Sequence, residues 1–233
     1  MGHALSPRVL LERRYHVDLS TMFGMLMDGF VTSLQVFGLT LLGSIPLGVV
    51  VALGRLSKIT PLRVITQVYI SIMRGTPLML QMFAVFFMPF YVFGIQTGAG
   101  FKFTACIIAF IINYAAYFAE IYRSGIQSMP RGQYEAAQVL GYSNSQTFFR
   151  IILPQVVKRI LPAMGNEIIT LIKETSLAFS VGVAEMFTAS KALVASQRTM
   201  VPFAIAAAIY WVTCLLIEFA LGRAEKKLGY YHD

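Results

Sequence analysis

Apolar residues run almost unbroken over five stretches, roughly 29–54, 63–93, 103–123, 163–186 and 201–222, and basic and polar residues gather between them. Each stretch is long enough to cross the ~30 Å hydrocarbon core of a bilayer, which takes about 20 helical residues. The two-residue alternation of a half-buried strand is missing, so the pattern predicts an all-α membrane protein of about five transmembrane helices. No long linker, low-complexity tract or internal repeat interrupts it. One transmembrane domain, 29–222, is expected between an N-terminal tail, 1–28, and a C-terminal tail, 223–233.

The second run cannot be one straight helix. The stretch from Leu62 to Gly94 would extend about 50 Å as a helix against a ~30 Å core. Arg74-Gly75-Thr76-Pro77 lies inside it. Pro77 removes a helix hydrogen bond and Gly75 loosens the turn before it, so a kink or break is expected there. Pro89 predicts a second interruption. Broken backbone at membrane depth must lie against protein or a watery cavity. In the first run, Gly43, Pro46 and Gly48 mark a surface that a neighbouring helix can approach closely.

The longest polar connection, 124–160, is structured by its own sequence. Glu135 to Leu140 predicts a short helix, with Gly141 placed to end it in the left-handed conformation. Ser143 with Gln146 three residues on predicts a capping box at the start of a second helix. That helix carries Thr147, Phe148, Ile151 and Ile152, and Pro154 is expected to lie outside its interior. The aromatic side chains can enter a pocket on a partner, or pack on the protein's own spans.

Composition supports the membrane assignment: 57% of residues are hydrophobic and 13% charged, against about 25% charged in soluble domains. The net charge of +8 does not read as a nucleic-acid footprint, because the basic residues lie in loops and ends. Arg55, Lys58 and Arg63, then Arg123, Arg131, Arg150, Lys158 and Arg159, then Arg223, Lys226 and Lys227 all fall on one side. The other side holds the smaller group of Arg8, Arg13, Arg14, Lys102, Lys191 and Arg198. The richer side is expected to be cytoplasmic, which places the N-terminus outside and the C-terminus inside. The N-terminal tail is a candidate surface helix. No secretory signal peptide is apparent, since the first long apolar run looks like a retained span. Cys106 and Cys214 each lie alone in a span and are expected to be small buried hydrophobes.

Polar groups inside the apolar runs are the candidate chemistry. Ionised groups at the bilayer centre cost roughly 2.5–3.5 kcal/mol on insertion scales, so they face a cavity or each other. In the fourth run, Asn166, Thr170 and Lys173 fall in one narrow helical sector, and Glu167 and Glu174 in an adjacent one. Such a mixed-sign face would suit the ammonium and carboxylate of an amino acid; it would equally suit a structural ion pair, such as Glu167 with Lys173. Arg74 can hold a substrate carboxylate or brace the break. Asn113 and Tyr117 share a helix face and can line a cavity or a packed interface, while Glu120 and Arg123 are spaced for a local salt bridge. Glu218, near the end of the last run, needs no special role. The three histidines, His3, His16 and His232, lie in the tails. No phosphate-binding Gly-x4-Gly-Lys-Ser/Thr, metalloprotease or nucleophile-elbow motif is present. No catalytic residue, metal site or cofactor is therefore expected in this chain.

The spacing Glu135-Ala136-Ala137, Gly141, Ile151, Leu153-Pro154 resembles the EAA loop of ATP-binding-cassette importer permeases. Arg74-Gly75-Thr76-Pro77-Leu78 and Ala119-Glu120-x-x-Arg123-Ser124-Gly125-Ile126 resemble the polar amino acid branch of that family, with Ser124 where many relatives have Gly. So does Lys173-Glu174-Thr175-Ser176-Leu177. The likeness covers roughly 25–225. It implies a multi-pass permease of the bacterial plasma (inner) membrane, with a second permease subunit as homo- or heterodimer. It also implies ABC ATPase subunits, which bind ATP and Mg, and an extracytoplasmic substrate-binding protein that delivers a polar amino acid. Glu135, Ala136, Ala137, Gly141, Phe148, Ile151, Leu153 and Pro154 would then form the ATPase-coupling element. Arg74, Asn113, Tyr117, Asn166, Glu167, Thr170, Lys173 and Glu174 are the candidate substrate path. An opine, cystine or another small zwitterion is an alternative cargo. The missing catalytic residues weigh against an intramembrane enzyme, and a simple channel would not need the capped helix pair.

Overall fold

A computed structural model describes residues 17–98 and 100–228. The expected surface helix of the N-terminal tail and the three histidines lie outside the described residues. The described residues form α1 (Leu19–Leu56), α2 (Thr60–Gly75), α3 (Leu78–Phe93), α4 (Phe101–Gln127), α5 (Arg131–Val139) and a single turn, α6 (Asn144–Gln146). A π-helical stretch (Thr147–Ile152), α7 (Leu153–Glu174), a 3-10 stretch (Thr175–Val181), α8 (Met186–Gln197) and α9 (Val201–Leu228) complete the chain. No strand occurs among the described residues.

Three helices, α1, α4 and α9, are each long and apolar enough to cross a membrane, and two bent pairs bring the total to as many as five. At 38 residues, α1 is about 57 Å long. It begins well ahead of the apolar run at 29, so it tilts or projects beyond a ~30 Å core. The second run breaks where Thr76 and Pro77 take extended backbone, and α2 and α3 meet at 110°. The second interruption expected at Pro89 does not occur. Pro89 lies within α3, one turn before Gly94 ends the helix at φ 67°, and its carbonyl accepts the Ile95 amide at 2.9 Å. The helix therefore loses one internal bond close to its end rather than splitting.

The fourth run is also not the single helix expected over 163–186. The helix begins at 153 and tightens into the 3-10 stretch after Glu174. The Thr175 and Ser176 hydroxyls donate to the Ile172 and Lys173 carbonyls at 2.7 and 2.8 Å, bonds that accompany the tighter winding. Gly182, at φ 78°, then turns the chain, and the helical run from 144 to 181 meets α8 at 61°.

The core is built around α1 and α4. Gly48 allows the approach expected of it, because a Cβ there would meet Phe118 Cβ at 2.9 Å and the Ala115 carbonyl at 3.2 Å. Phe110, Tyr114 and Phe118 of α4 pack with Val36, Leu78, Met82 and Leu171. A second cluster joins α1 to α8 and α9 through Leu26, Phe30, Met186, Leu193 and Ala206. The apolar window of α9 is only 6% buried. Its exposed Trp211, Leu216 and Phe219 suit lipid, where apolar side chains need no protein cover.

Candidate functional site

Beside the break between α2 and α3 lies a polar cavity of about 350 Å³, lined by Thr76, Pro77, Leu78, Asn113, Tyr114, Tyr117, Glu167, Thr170 and Glu174. On α7, residues 167, 170 and 174 recur at helical spacing, so one stripe faces the cavity. On α4, Asn113 and Tyr117 are one turn apart. The Arg74 guanidinium, at the C-terminal end of α2, lies 5.3 Å from the centre of the Tyr117 ring, a cation–π arrangement at the cavity edge. The Tyr114 hydroxyl donates to Glu174 Oε2 at 2.7 Å. The cavity thus gathers two carboxylates, two phenols, two threonine hydroxyls and an amide, with one guanidinium beside it. Mixed signs at this depth can hold a small zwitterion, or water around buried charge.

Six of the eight candidate path residues come together there: Asn113, Tyr117, Glu167, Thr170 and Glu174 in the wall, and Arg74 against it. Asn166 and Lys173 do not. Both are exposed on another side of α7, because the cavity takes the stripe through Glu167 and Glu174 rather than the one through Asn166 and Lys173. The ion pair considered between Glu167 and Lys173 does not form among the described residues. The expected Glu120–Arg123 pair does, with Arg123 Nε donating to Glu120 Oε2 at 2.9 Å.

The loop carries the predicted local geometry. Gly141 sits at φ 79°, where a Cβ would be strained. The Tyr142 and Gly141 amides donate to the Ala137 and Gln138 carbonyls at 3.0 and 2.9 Å, a Schellman ending for α5. Ser143 and Gln146 form both bonds of the capping box, at 3.3 and 2.9 Å. The second helix, however, does not stop before Pro154. It runs through the π-helical stretch into α7, with Pro154 near the start of that helix. A π turn changes which carbonyl stands opposite the proline nitrogen, so the ring is accommodated.

Phe148 and Ile151 pack inward with Met129, Tyr134, Ile152 and Val156. Ala137 is buried, Leu153 is half-buried, and Glu135, Ala136, Gly141 and Pro154 are exposed. The apolar side chains left uncovered are Val139, Leu140 and Phe149, at 87%, 73% and 65% exposure. Exposed apolar side chains beside a capped turn are the kind of surface that a partner can cover. Phe149 was within reach of the sequence as the neighbour of Phe148; only the fold shows which of the two turns outward.

Two further residues emerge from the structure alone. Gln81, on α3, bonds across the break at 76–77. Glu185 is wholly buried and caps α8, accepting the Phe187 and Thr188 amides at 2.6 and 2.7 Å and the Thr188 hydroxyl at 2.8 Å. Glutamate is uncommon as a cap, so nothing local in the sequence points to it. Both cysteines are free; Cys106 is buried and Cys214 partly so.

Comparison with known proteins places this architecture. The family described as "Binding-protein-dependent transport system inner membrane component" matches residues 44–230. The L-cystine transport system permease protein TcyB of Bacillus subtilis is 39% identical over 187 residues, covering 79% of this chain and 78% of the relative. The putative glutamine transport system permease protein GlnP of Rickettsia bellii is 34% identical, covering 92% of this chain and 97% of the relative. The arginine transport system permease protein ArtQ of Bacillus subtilis is 35% identical, covering 87% and 92%. Among solved structures, an amino acid ABC transporter crystallised with histidines superposes at a TM-score of 0.81 with 32% identity, over 91% of this chain and 99% of that one. An inward-facing MetNI methionine ABC transporter shares the fold at a TM-score of 0.64 with 16% identity, over 97% and 99%. With its membrane helices, capped loop and polar cavity, the chain belongs to the binding-protein-dependent transport system inner membrane components, the multi-pass permeases of ABC importers.

Proposed function

We propose that this chain forms the translocation path for a polar amino acid in an ABC importer, and that a separate ATPase subunit drives it. The observation that carries the reading is the polar cavity where Glu167, Thr170 and Glu174 face Asn113, Tyr114 and Tyr117, with Arg74 at its edge. An amino acid presents an ammonium and a carboxylate about one carbon apart. A site for it needs acceptors and a cation close together in low dielectric, where such contacts are strong. The related permeases named for cystine, glutamine and arginine support a cargo of this class, with cystine kept as a specific alternative.

The coupling surface is assigned to α5 and the capped turn after it. Val139, Leu140 and Phe149 offer apolar anchors, and the Gly141 and Ser143 caps hold the turn rigid. ATP and Mg belong to the ATPase subunit docked there. In this reading the loop face is cytoplasmic, a second permease subunit completes the path, and an extracytoplasmic binding protein delivers the cargo. Copurification provides the test. The permease, expressed with its ATPase, should bring that subunit down in detergent, and the complex should hydrolyse ATP faster when the loaded binding protein is added. A permease that purifies alone, or a complex whose hydrolysis ignores every amino acid offered with the binding protein, would contradict the assignment.

A further inference from the structure

Two cavities meet at the break between α2 and α3. One is the polar cavity described above. The other, about 510 Å³ and almost wholly apolar, lies in the angle between α2 and α3 and is lined by Ile72, Leu80, Val85 and Met88 among others. Thr76 lines both. A pair of side-chain amides stands between them: Asn113 lines the polar cavity and Gln81 the apolar one.

Their orientation is determined by what surrounds them. The broken end of α2 leaves carbonyls without helical partners, and a carbonyl can only accept. Gln81 Nε2 donates to the Met73 carbonyl at 3.0 Å, the Thr76 carbonyl at 3.1 Å and Thr76 Oγ1 at 2.8 Å. Asn113 Nδ2 donates to the same Met73 carbonyl at 3.0 Å and to Gln81 Oε1 at 2.9 Å. Flipping either amide would set oxygen against oxygen. Both hydrogens of Asn113 are thus consumed behind the cavity wall, and its Oδ1 accepts no bond from the described residues. That oxygen is the one polar atom Asn113 has left for the cavity.

We propose that Gln81 is a positioning residue for the transported molecule. By fixing the Asn113 amide, it presents Asn113 Oδ1 to the polar cavity as an acceptor for the ammonium group of an amino acid. The proposal rests on the reading that amino acids pass through this cavity. Gln81 itself touches no cargo. Without it, Asn113 Nδ2 keeps only its bond to the Met73 carbonyl, and the less restrained amide can turn donors to the cavity where an acceptor is required, so an ammonium loses a charged hydrogen bond.

The test compares each amino acid with its α-deamino analogue. Affinities are measured by calorimetry on the purified permease–ATPase complex, using L-arginine against 5-guanidinopentanoate, L-glutamine against glutaramate, and L-cystine against 3,3′-dithiodipropionate. The wild-type complex should prefer the amino form of whichever compound it binds. Gln81→Met, similar in length but without hydrogen bonding, should reduce that preference about tenfold to hundredfold, the usual worth of a charged hydrogen bond. Asn113→Ala removes the acceptor and should reduce the preference as Gln81→Met does, so it decides the matter if the methionine variant does not fold. An unchanged preference in either Gln81→Met or Asn113→Ala overturns the proposal. So does an equal loss for amino and deamino forms, which is what simple structural damage would produce. A wild-type complex that binds none of the three amino acids contradicts the amino acid reading itself, a result distinct from binding with an unaltered preference.

Discussion

Gly29→Ala tests how tightly α1 is held against the start of α8. A Cβ at this position would lie 2.8 Å from Met186 Cα, 2.9 Å from Met186 N and 3.0 Å from the Glu185 carbonyl carbon. All three are backbone atoms, so no side chain can swing aside. Ordinary contact begins at 3.4 Å, so the helices must separate by several tenths of an ångström. One turn on, the Met186 amide donates to Ser33 Oγ at 3.3 Å, and separation breaks that bond. Overpacking costs about 1–3 kcal/mol, and the lost bond about 0.5–1.5 kcal/mol. Alanine returns about 1 kcal/mol of helix propensity. Gly24→Ala is the internal control, because nothing lies within 4 Å of its Cβ and it takes the same propensity gain. The two variants should therefore differ by about 1.5–4.5 kcal/mol, with Gly29→Ala the less stable. Unfolding of each purified variant in mixed micelles, titrated with SDS, measures the difference. Equal stabilities would show that α1 and α8 do not meet as described.

Other consequences are open to direct measurement. Gly141→Pro cannot adopt φ 79° and loses the amide donated to Gln138; it should leave the membrane helices inserted while uncoupling ATP hydrolysis from uptake, and uptake with wild-type kinetics would refute the coupling role. The charge bias places Gln138 in the cytoplasm and Gly98 outside, so in a variant lacking Cys106 and Cys214 an impermeant thiol reagent on intact cells should label a cysteine at 98 and spare one at 138; the reverse pattern inverts the topology. Glu167→Gln should weaken a cationic cargo about tenfold to hundredfold and neutral ones less, changing the order of preference among cargoes, whereas a uniform loss with low protein yield would make Glu167 part of the scaffold.

Local rules reach some of this molecule and miss the rest for identifiable reasons. The Gly141 ending and the Ser143–Gln146 box are formed by neighbours in sequence, so residue types alone specify them. The break at Thr76–Pro77 is legible because a helix of that length cannot fit the bilayer. The π-helical stretch at Thr147–Ile152 is not legible, since nothing in Thr-Phe-Phe-Arg-Ile-Ile distinguishes it from an ordinary turn; packing against Met129, Tyr134 and Val156 accompanies it. Periodicity groups Asn166 with Lys173 and Glu167 with Glu174, but only the position of α4 decides which pair faces the cavity. Gln81 and Glu185 serve partners made available by the tertiary fold, the carbonyls exposed at a break and the first amides of a helix seated against α1. No spacing rule announces either.

The central claim is that this chain lines an amino acid path powered from its capped loop. Uptake into proteoliposomes tests it most directly, with the permease and its ATPase in the membrane, ATP enclosed on the loop side, and the binding protein with a labelled amino acid on the other. The account predicts accumulation of at least one polar amino acid that requires ATP, the ATPase and the binding protein together. It also predicts that accumulation is lost when Glu167 and Glu174 are both replaced by leucine in a complex that still assembles. Entry of the amino acid down its gradient without ATP, or full uptake by the double variant, would contradict it.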